Sequence, residues 1–296
     1  MKTLEKYTMV YDADCPLCMA YTNAFVSTKM LDKDGRIPYQ QVGGEFVPGM
    51  DAERAKNEIA LVNRENGQVT YGLESLLTVL EYRNRWIGKI ARLQPLNFFI
   101  QKFYNFISYN RKVIIPVGSS AVGRKQSEGI RRFDCTPTFK LKYRLAYIVV
   151  MWLLTSLTLV GYSQLLNGLI PATNFFREFM ICGGQVVFQA ISVGVIAMSA
   201  PFDGLRAGSM SGKKLMDYLG NMMTVSIFGA LLLLPALLLG TIFPAIPAAV
   251  FLAYFMLVVG VMLYEHARRM KLLELGWWPS VSWVLYRLLV LTLILI

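Results

Sequence analysis

The sequence predicts an α/β domain in the first 115 residues and an all-α polytopic transmembrane domain from residue 145 onward. Three observations lead there. Hydrophobic residues make up 55% of the 296-residue chain and charged residues only 17%, against about 25% charged in soluble proteins. The mean hydropathy is +0.44, and the apolar excess lies almost entirely beyond residue 144. Before that point, short strand-like runs alternate with helical ones. Four cysteines exclude a disulfide-stapled secreted domain. A single histidine, His266, excludes most histidine-based metal or haem chemistry.

Glu5–Tyr11 reads as a strand that stops at Asp12-Ala13-Asp14. Cys15-Pro16-Leu17-Cys18 then opens a helical run to about Met30, with Pro16 suited to the first helical position. Ile37–Val42 reads as a second strand. Glu58–Asn63 and Gln68–Tyr71 flank Glu65-Asn66-Gly67, a hairpin with its Asn-Gly turn. Leu73–Glu81 follows as a helix with Leu73, Leu76, Leu77 and Leu80 on one side. The order β-α-β-β-β-α, with Cys-x-x-Cys where the first strand becomes the first helix, is the thioredoxin/glutaredoxin layout.

That placement suits dithiol chemistry. The thiolate is the attacking species, and a helix N-terminus stabilises negative charge through its unpaired N–H groups. Cys15 is expected at the cap, exposed, as the nucleophile, with Cys18 one turn in as the resolving thiol. Asp12 has two readings: an ordinary loop or cap aspartate, or the proton acceptor for Cys18 during resolution. A zinc half-site is disfavoured, because Cys135, Cys182 and His266 supply no second pair of ligands. A c-type haem is excluded, since Met19 follows Cys18. Neither cofactor nor metal is expected.

The run Val10-Tyr11-Asp12-Ala13-Asp14-Cys15-Pro16-Leu17-Cys18 resembles the opening of the DCC family of thiol-disulfide oxidoreductases. The likeness continues through the Gly67 turn to Gln94-Pro95-Leu96 and Tyr104–Arg111, which looks like the family's closing segment. It covers roughly residues 5–115 and implies a thioredoxin-like fold with redox-active Cys15 and Cys18. The chain departs from thioredoxins in having no proline just before Glu58-Ile59, where they carry a cis-proline that docks substrate backbone.

From Arg83 to Arg144 there are fourteen Lys and Arg against two acids, Glu128 and Asp134. Nucleic-acid binding is the tempting reading. The run leads straight into a membrane span, however, so an anionic lipid surface is the expected partner, at about 1 kcal/mol per basic residue. Residues 116–144 form the basic juxtamembrane linker. Within the run, Phe99, Phe103, Phe106 and Ile107 share one helix face bordered by Lys102, Arg111 and Lys112. The stripe is expected to be the domain's last core helix, an interfacial helix, or an oligomer contact.

Five stretches approach the roughly 20 residues needed to cross a bilayer: Leu145–Asn167, Ile181–Ala200, Leu219–Phe243, Ile246–Tyr264 and a shorter Val281–Ile296. About five spans are expected, with four plus an interfacial helix as the alternative. The loops after the second and fourth spans carry three Lys/Arg each, and those after the first and third carry one and none. The positive-inside rule then places the N-terminal domain in the cytoplasm. Gln185 and Gln189 lie on one helix face and, with Arg287, form either a polar pocket for a small ligand or, respectively, helix-to-helix glue and a snorkelling cation. Cys135 and Cys182 stand on opposite sides of the bilayer, too far apart to pair.

The sequence therefore points to a membrane-anchored, cytoplasm-facing dithiol oxidoreductase acting on a thiol or disulfide protein or a small thiol in the cell membrane. The alternative is a non-enzymatic carrier or assembly subunit whose thioredoxin-like domain binds or regulates.

Overall fold

The computed structural model describes residues 3–42, 49–116, 137–171, 173–199 and 212–295. Cys135, most of the basic linker and Arg206 lie outside them. The chain divides into two compact units, residues 1–143 and 144–296.

The first unit is a mixed four-stranded sheet with helices. Its strands are β1 (Tyr7–Tyr11), β2 (Arg36–Pro38), β3 (Ala60–Asn63) and β4 (Val69–Tyr71), in the order β2-β1-β3-β4. β1 runs parallel to β2 and antiparallel to β3, and β3 pairs antiparallel with β4 through the Gly67 turn. α1 (Pro16–Ser27) crosses between the parallel pair. Met9 and Leu61, opposite each other in the central strands, are fully buried with Leu31 and Val79.

The second strand is shorter than the sequence suggests. It ends at Pro38, which has no N–H to extend the ladder, and the chain turns at once into α2 (Tyr39–Val42). A further short helix, α3 (Ala52–Asn57), is capped by Asp51, whose carboxylate accepts from Arg54 N at 3.0 Å. α4 (Leu73–Arg83) buries two sides rather than one leucine stripe. Val79 joins the sheet core, while Leu73 and Leu77 meet Ala91, Ile100 and Tyr104. Those partners come from α5 (Arg85–Ala91) and α6 (Leu96–Ile114), which cover the far side of α4.

The second unit is all helical: α7 (Leu141–Leu165, which begins just before the boundary), α8 (Phe175–Ser199), α9 (Gly212–Ile242), α10 (Ala248–Leu272) and α11 (Trp278–Leu295). Four of these are long and apolar enough to cross a membrane. The fifth expected span falls on α11, an apolar helix shorter than these four.

Beside an apolar core, this unit buries polar side chains and turns many large apolar ones outward. Ser156, Gln185, Gln189, Asn221, Ser226 and His266 lie inside, whereas Leu157, Val187, Leu238, Leu257 and Leu289 face outward. Hydrocarbon outside the bundle reverses the usual preference, since polar groups must then find partners within. Close approach is managed by glycine. A Cβ at Gly183 would overlap the Trp152 ring, and one at Gly184 would overlap the Tyr286 hydroxyl. Tyr286 donates to Ile181 O at 2.6 Å, and Trp152 to Phe179 O at 2.8 Å.

Candidate functional site

β1 ends at Tyr11 and delivers Asp12 into a tight turn. Asp12 Oδ1 accepts from Asp14 N at 3.0 Å, and Cys15 N donates to Asp12 O at 3.2 Å. Gln40, carried by α2, fastens the turn from the other side. Its Nε2 donates to Asp12 Oδ1 at 2.8 Å and to Asp14 Oδ2 at 3.2 Å, while its Oε1 accepts from Ala13 N at 3.1 Å. The chain then enters α1 with Cys15 as N-cap and Pro16 in the first turn.

Cys15 Sγ accepts from Cys18 N at 3.3 Å, the bond a capping oxygen would otherwise receive. No disulfide joins the two cysteines in this structure. The hydrogen bond from the Cys18 thiol, followed by that from its N–H and the charge of Arg111, brings the Cys15 thiol down to about 7. Burial and the Asp12 carboxylate oppose the shift. The Cys18 thiol moves far upward, because it donates to Cys15 and is itself buried. The pair is thus asymmetric: Cys15 holds the negative charge and Cys18 holds the proton.

Cys15 is not exposed as its cap position suggested. It is 5% accessible and Cys18 is 7%. α6 adds further groups to the site. Arg111, near its C-terminus, is buried and donates to Asp12 Oδ2 at 3.3 Å, Lys56 O at 2.7 Å and Asn57 O at 3.4 Å. Three residues earlier, Ser108 also donates to Asn57 O. One turn further back, Tyr104 OH accepts from Ile59 N at 3.1 Å. The Ile59 carbonyl accepts from Gly72 N at 2.8 Å. A cavity of about 60 Å³ remains between α6, α1 and β3, lined by Cys18, Tyr21, Glu58, Ile59, Tyr104 and Arg111 among others.

Arg111 is the residue that sequence reasoning missed, having been read as a border charge of the aromatic stripe. Tyr104 and Arg111 are seven residues apart, two turns on one helix face, and that spacing was the available signal. The stripe itself divides. Phe99 and Phe103 are 63% and 66% exposed, whereas Phe106 and Ile107 are half-buried beside Ser108 and Arg111.

The membrane candidates occupy the other unit. Gln185 and Gln189 are buried on α8. The Arg287 side chain on α11 lies with its Cζ 4.9 Å from the Trp283 ring centroid, and its Nε is buried. Cys182, on the same helix as the glutamines, is buried and reduced. Among the described residues, no cluster of three His, Cys, Asp or Glu is placed to hold a metal.

A β2-β1-β3-β4 sheet with Cys-x-x-Cys at the β1–α1 junction defines a dithiol domain of the thioredoxin class. More particularly, residues 9–115 match the family model of DCC1-like thiol-disulfide oxidoreductases, and the N-terminal unit carries a domain of that family. No curated protein and no solved structure matches the chain significantly.

Proposed function

We propose that the protein is a membrane-anchored thiol-disulfide oxidoreductase whose dithiol domain faces the cytoplasm. The observation that carries this reading is Cys15 at the cap of α1, bonded by both the thiol and the N–H of Cys18, with Arg111 nearby. In the reductive direction, the Cys15 thiolate attacks one sulfur of a substrate disulfide and expels the other as a thiolate. Cys18 then loses its proton and attacks Cys15 Sγ, which releases the second substrate sulfur and leaves a Cys15–Cys18 disulfide. Two electrons pass to the substrate. Asp12, held by Gln40 and Arg111, positions the turn and is the nearby carboxylate for the Cys18 proton. In a Cys18→Ser variant the mixed disulfide should persist on Cys15 and disappear on reduction. If no disulfide of any size is captured while wild-type Cys15 alkylates normally, oxidoreductase activity is refuted.

The burial of both cysteines favours a second reading, a binding or assembly domain with an inert pair. Limiting alkylation of the folded, reduced chain separates the two. Labelling of Cys15 ahead of Cys18 supports the enzyme, and labelling of neither supports the binding domain.

The orientation rests on the loop charges, with Lys213, Lys214, Arg268, Arg269 and Lys271 on the cytoplasmic side. Reporter fusions after Gly168 and Gly204 should report opposite sides. An anionic lipid surface is the partner that the N-terminal unit's outer face fits. Trp86 is 69% exposed, and Ile87, Ile90, Leu93, Phe99 and Phe103 extend the patch. Arg83, Arg85, Lys89 and Lys102 surround it, with Lys89 over Trp86 and Lys102 over Phe98. Apolar side chains ringed by cations are the composition of an interfacial helix. In vesicles, brominated lipid should quench the emission that Trp86→Phe removes. Quenching of that emission by aqueous iodide alone would place the patch in water.

A further inference from the structure

The interior of the helical unit holds polar atoms that no described residue meets. Gln189, fully buried on α8, uses its Oε1 twice, accepting from Tyr218 OH at 2.6 Å and Ser282 Oγ at 2.9 Å. Its Nε2 has no acceptor among the described residues. One turn away, Gln185 is 3% exposed and neither its Oε1 nor its Nε2 is bonded. Trp283 is buried with its indole N–H unmet, and Arg287 has an unmet Nε. His266 shares a hydrogen bond with Ser280 Oγ through Nδ1 at 2.9 Å, and its Nε2 is left over.

These groups form one cluster. The His266 and Trp283 rings stack at 5.8 Å, and Tyr218 stands edge-on to His266 at 6.2 Å. The Arg287 guanidinium covers the other end of the chain of contacts, on Trp283. Four helices, α8 to α11, thus contribute to a single polar interior. Helix-to-helix bonding explains the oxygen of Gln189 and Nδ1 of His266, and leaves the other atoms unmet. Each buried unmet donor costs about 1–3 kcal/mol, so several in contact mark a place built for something other than packing.

Donors predominate among the unmet atoms. Trp283 Nε1, Arg287 Nε and the Nε2 groups of Gln185 and Gln189 can only donate, whereas Gln185 Oε1 accepts and His266 Nε2 can do either. Arg287 adds a positive charge that no carboxylate pairs with among the described residues; Cys182, Tyr286 and Glu178 are within its electrostatic reach. The outer faces of the same helices are apolar, with Val187 and Ile191 on α8 and Leu285 and Leu288 on α11 exposed. A ligand arriving from the lipid would carry an apolar tail and an acceptor at its head.

We propose that α8–α11 bind the headgroup of a lipid-soluble molecule that is chiefly a hydrogen-bond acceptor: a quinone carbonyl or the anionic oxygen of an acidic lipid. This site is independent of the dithiol reading and stands if that reading fails.

The test uses the full chain in nanodiscs of zwitterionic lipid. One arm titrates a short-chain benzoquinone, the other phosphatidic acid, and thermal unfolding reports binding. A saturable rise in the midpoint is expected in at least one arm, and the arm that responds names the source. Trp283→Phe keeps the ring and removes the N–H, and it should weaken that binding about tenfold, the loss of one buried hydrogen bond. Gln185→Leu should raise the ligand-free midpoint while also weakening binding, which a merely structural glutamine would not do. No shift in either arm, or unchanged affinity in both variants, overturns the proposal.

Discussion

Two buried polar side chains, one in each unit, carry opposite lessons. Asp12 sits inside the sheet domain with Asp14 N, Gln40 Nε2 and Arg111 Nη2 all donating to its carboxylate. Gln185 sits inside the helical bundle with neither polar atom bonded. In the first unit polarity is buried to hold a geometry, and the partners come with it. In the second, polarity is buried beyond what the helices use. The polar groups of the sheet-domain site are matched to one another, whereas several in the bundle interior are not matched among the described residues.

The largest expected effect breaks the matched side of that comparison. Arg111→Met leaves Asp12 buried with its charge uncompensated, which should cost the N-terminal unit about 3–5 kcal/mol, read by hydrogen exchange of the β1 and β3 amides. Asp12→Asn combined with Arg111→Met should recover much of it. Equal losses in the single and double variants would show that the ion pair is not what Arg111 contributes.

Next in size is crowding in the bundle. Gly184→Val drives a side chain into the Tyr286 hydroxyl and should destabilise α8 against α11 by about 1–3 kcal/mol, read as a lower midpoint in nanodiscs. An unchanged midpoint would mean that the two helices do not meet at Gly184.

A pH profile sharpens the comparison from the dithiol side. With the thiol at about 7, Cys15 alkylation should rise with pH and reach half its plateau near pH 7, because the thiolate is the reactive form. Arg111→Lys keeps a charge and should move this midpoint less than Arg111→Met, which should move it upward. A midpoint near 9 in the wild type would remove the asymmetry of the pair.

The smallest effect belongs to the outer face. Trp86→Ser should change stability by less than about 0.5 kcal/mol, yet abolish the contact that brominated lipid reports. A large loss of stability would reveal Trp86 as a packing residue.

What was legible in the sequence follows from locality. Asp12, Cys15, Pro16 and Cys18 lie within one strand-turn-helix, so their arrangement is set by cap and turn preferences that neighbours alone dictate. Arg111 enters the same site from 99 residues beyond Asp12. It sits in a run so basic that lipid attraction was the simpler account of any one charge. The second strand was overread because Pro38 was taken inside it, although the ladder cannot continue past a residue with no N–H. The four long spans were plain from composition, whereas which of their buried polar atoms go unmet depends on helix rotation, which a hydropathy pattern leaves open.

The Tyr104–Ile59 hydrogen bond reaches beyond stability. Here the Ile59 amide is taken by Tyr104 and its carbonyl by Gly72, both from within the unit. Both backbone groups at that point are thus committed within the unit, and β3 begins with its first rung already closed.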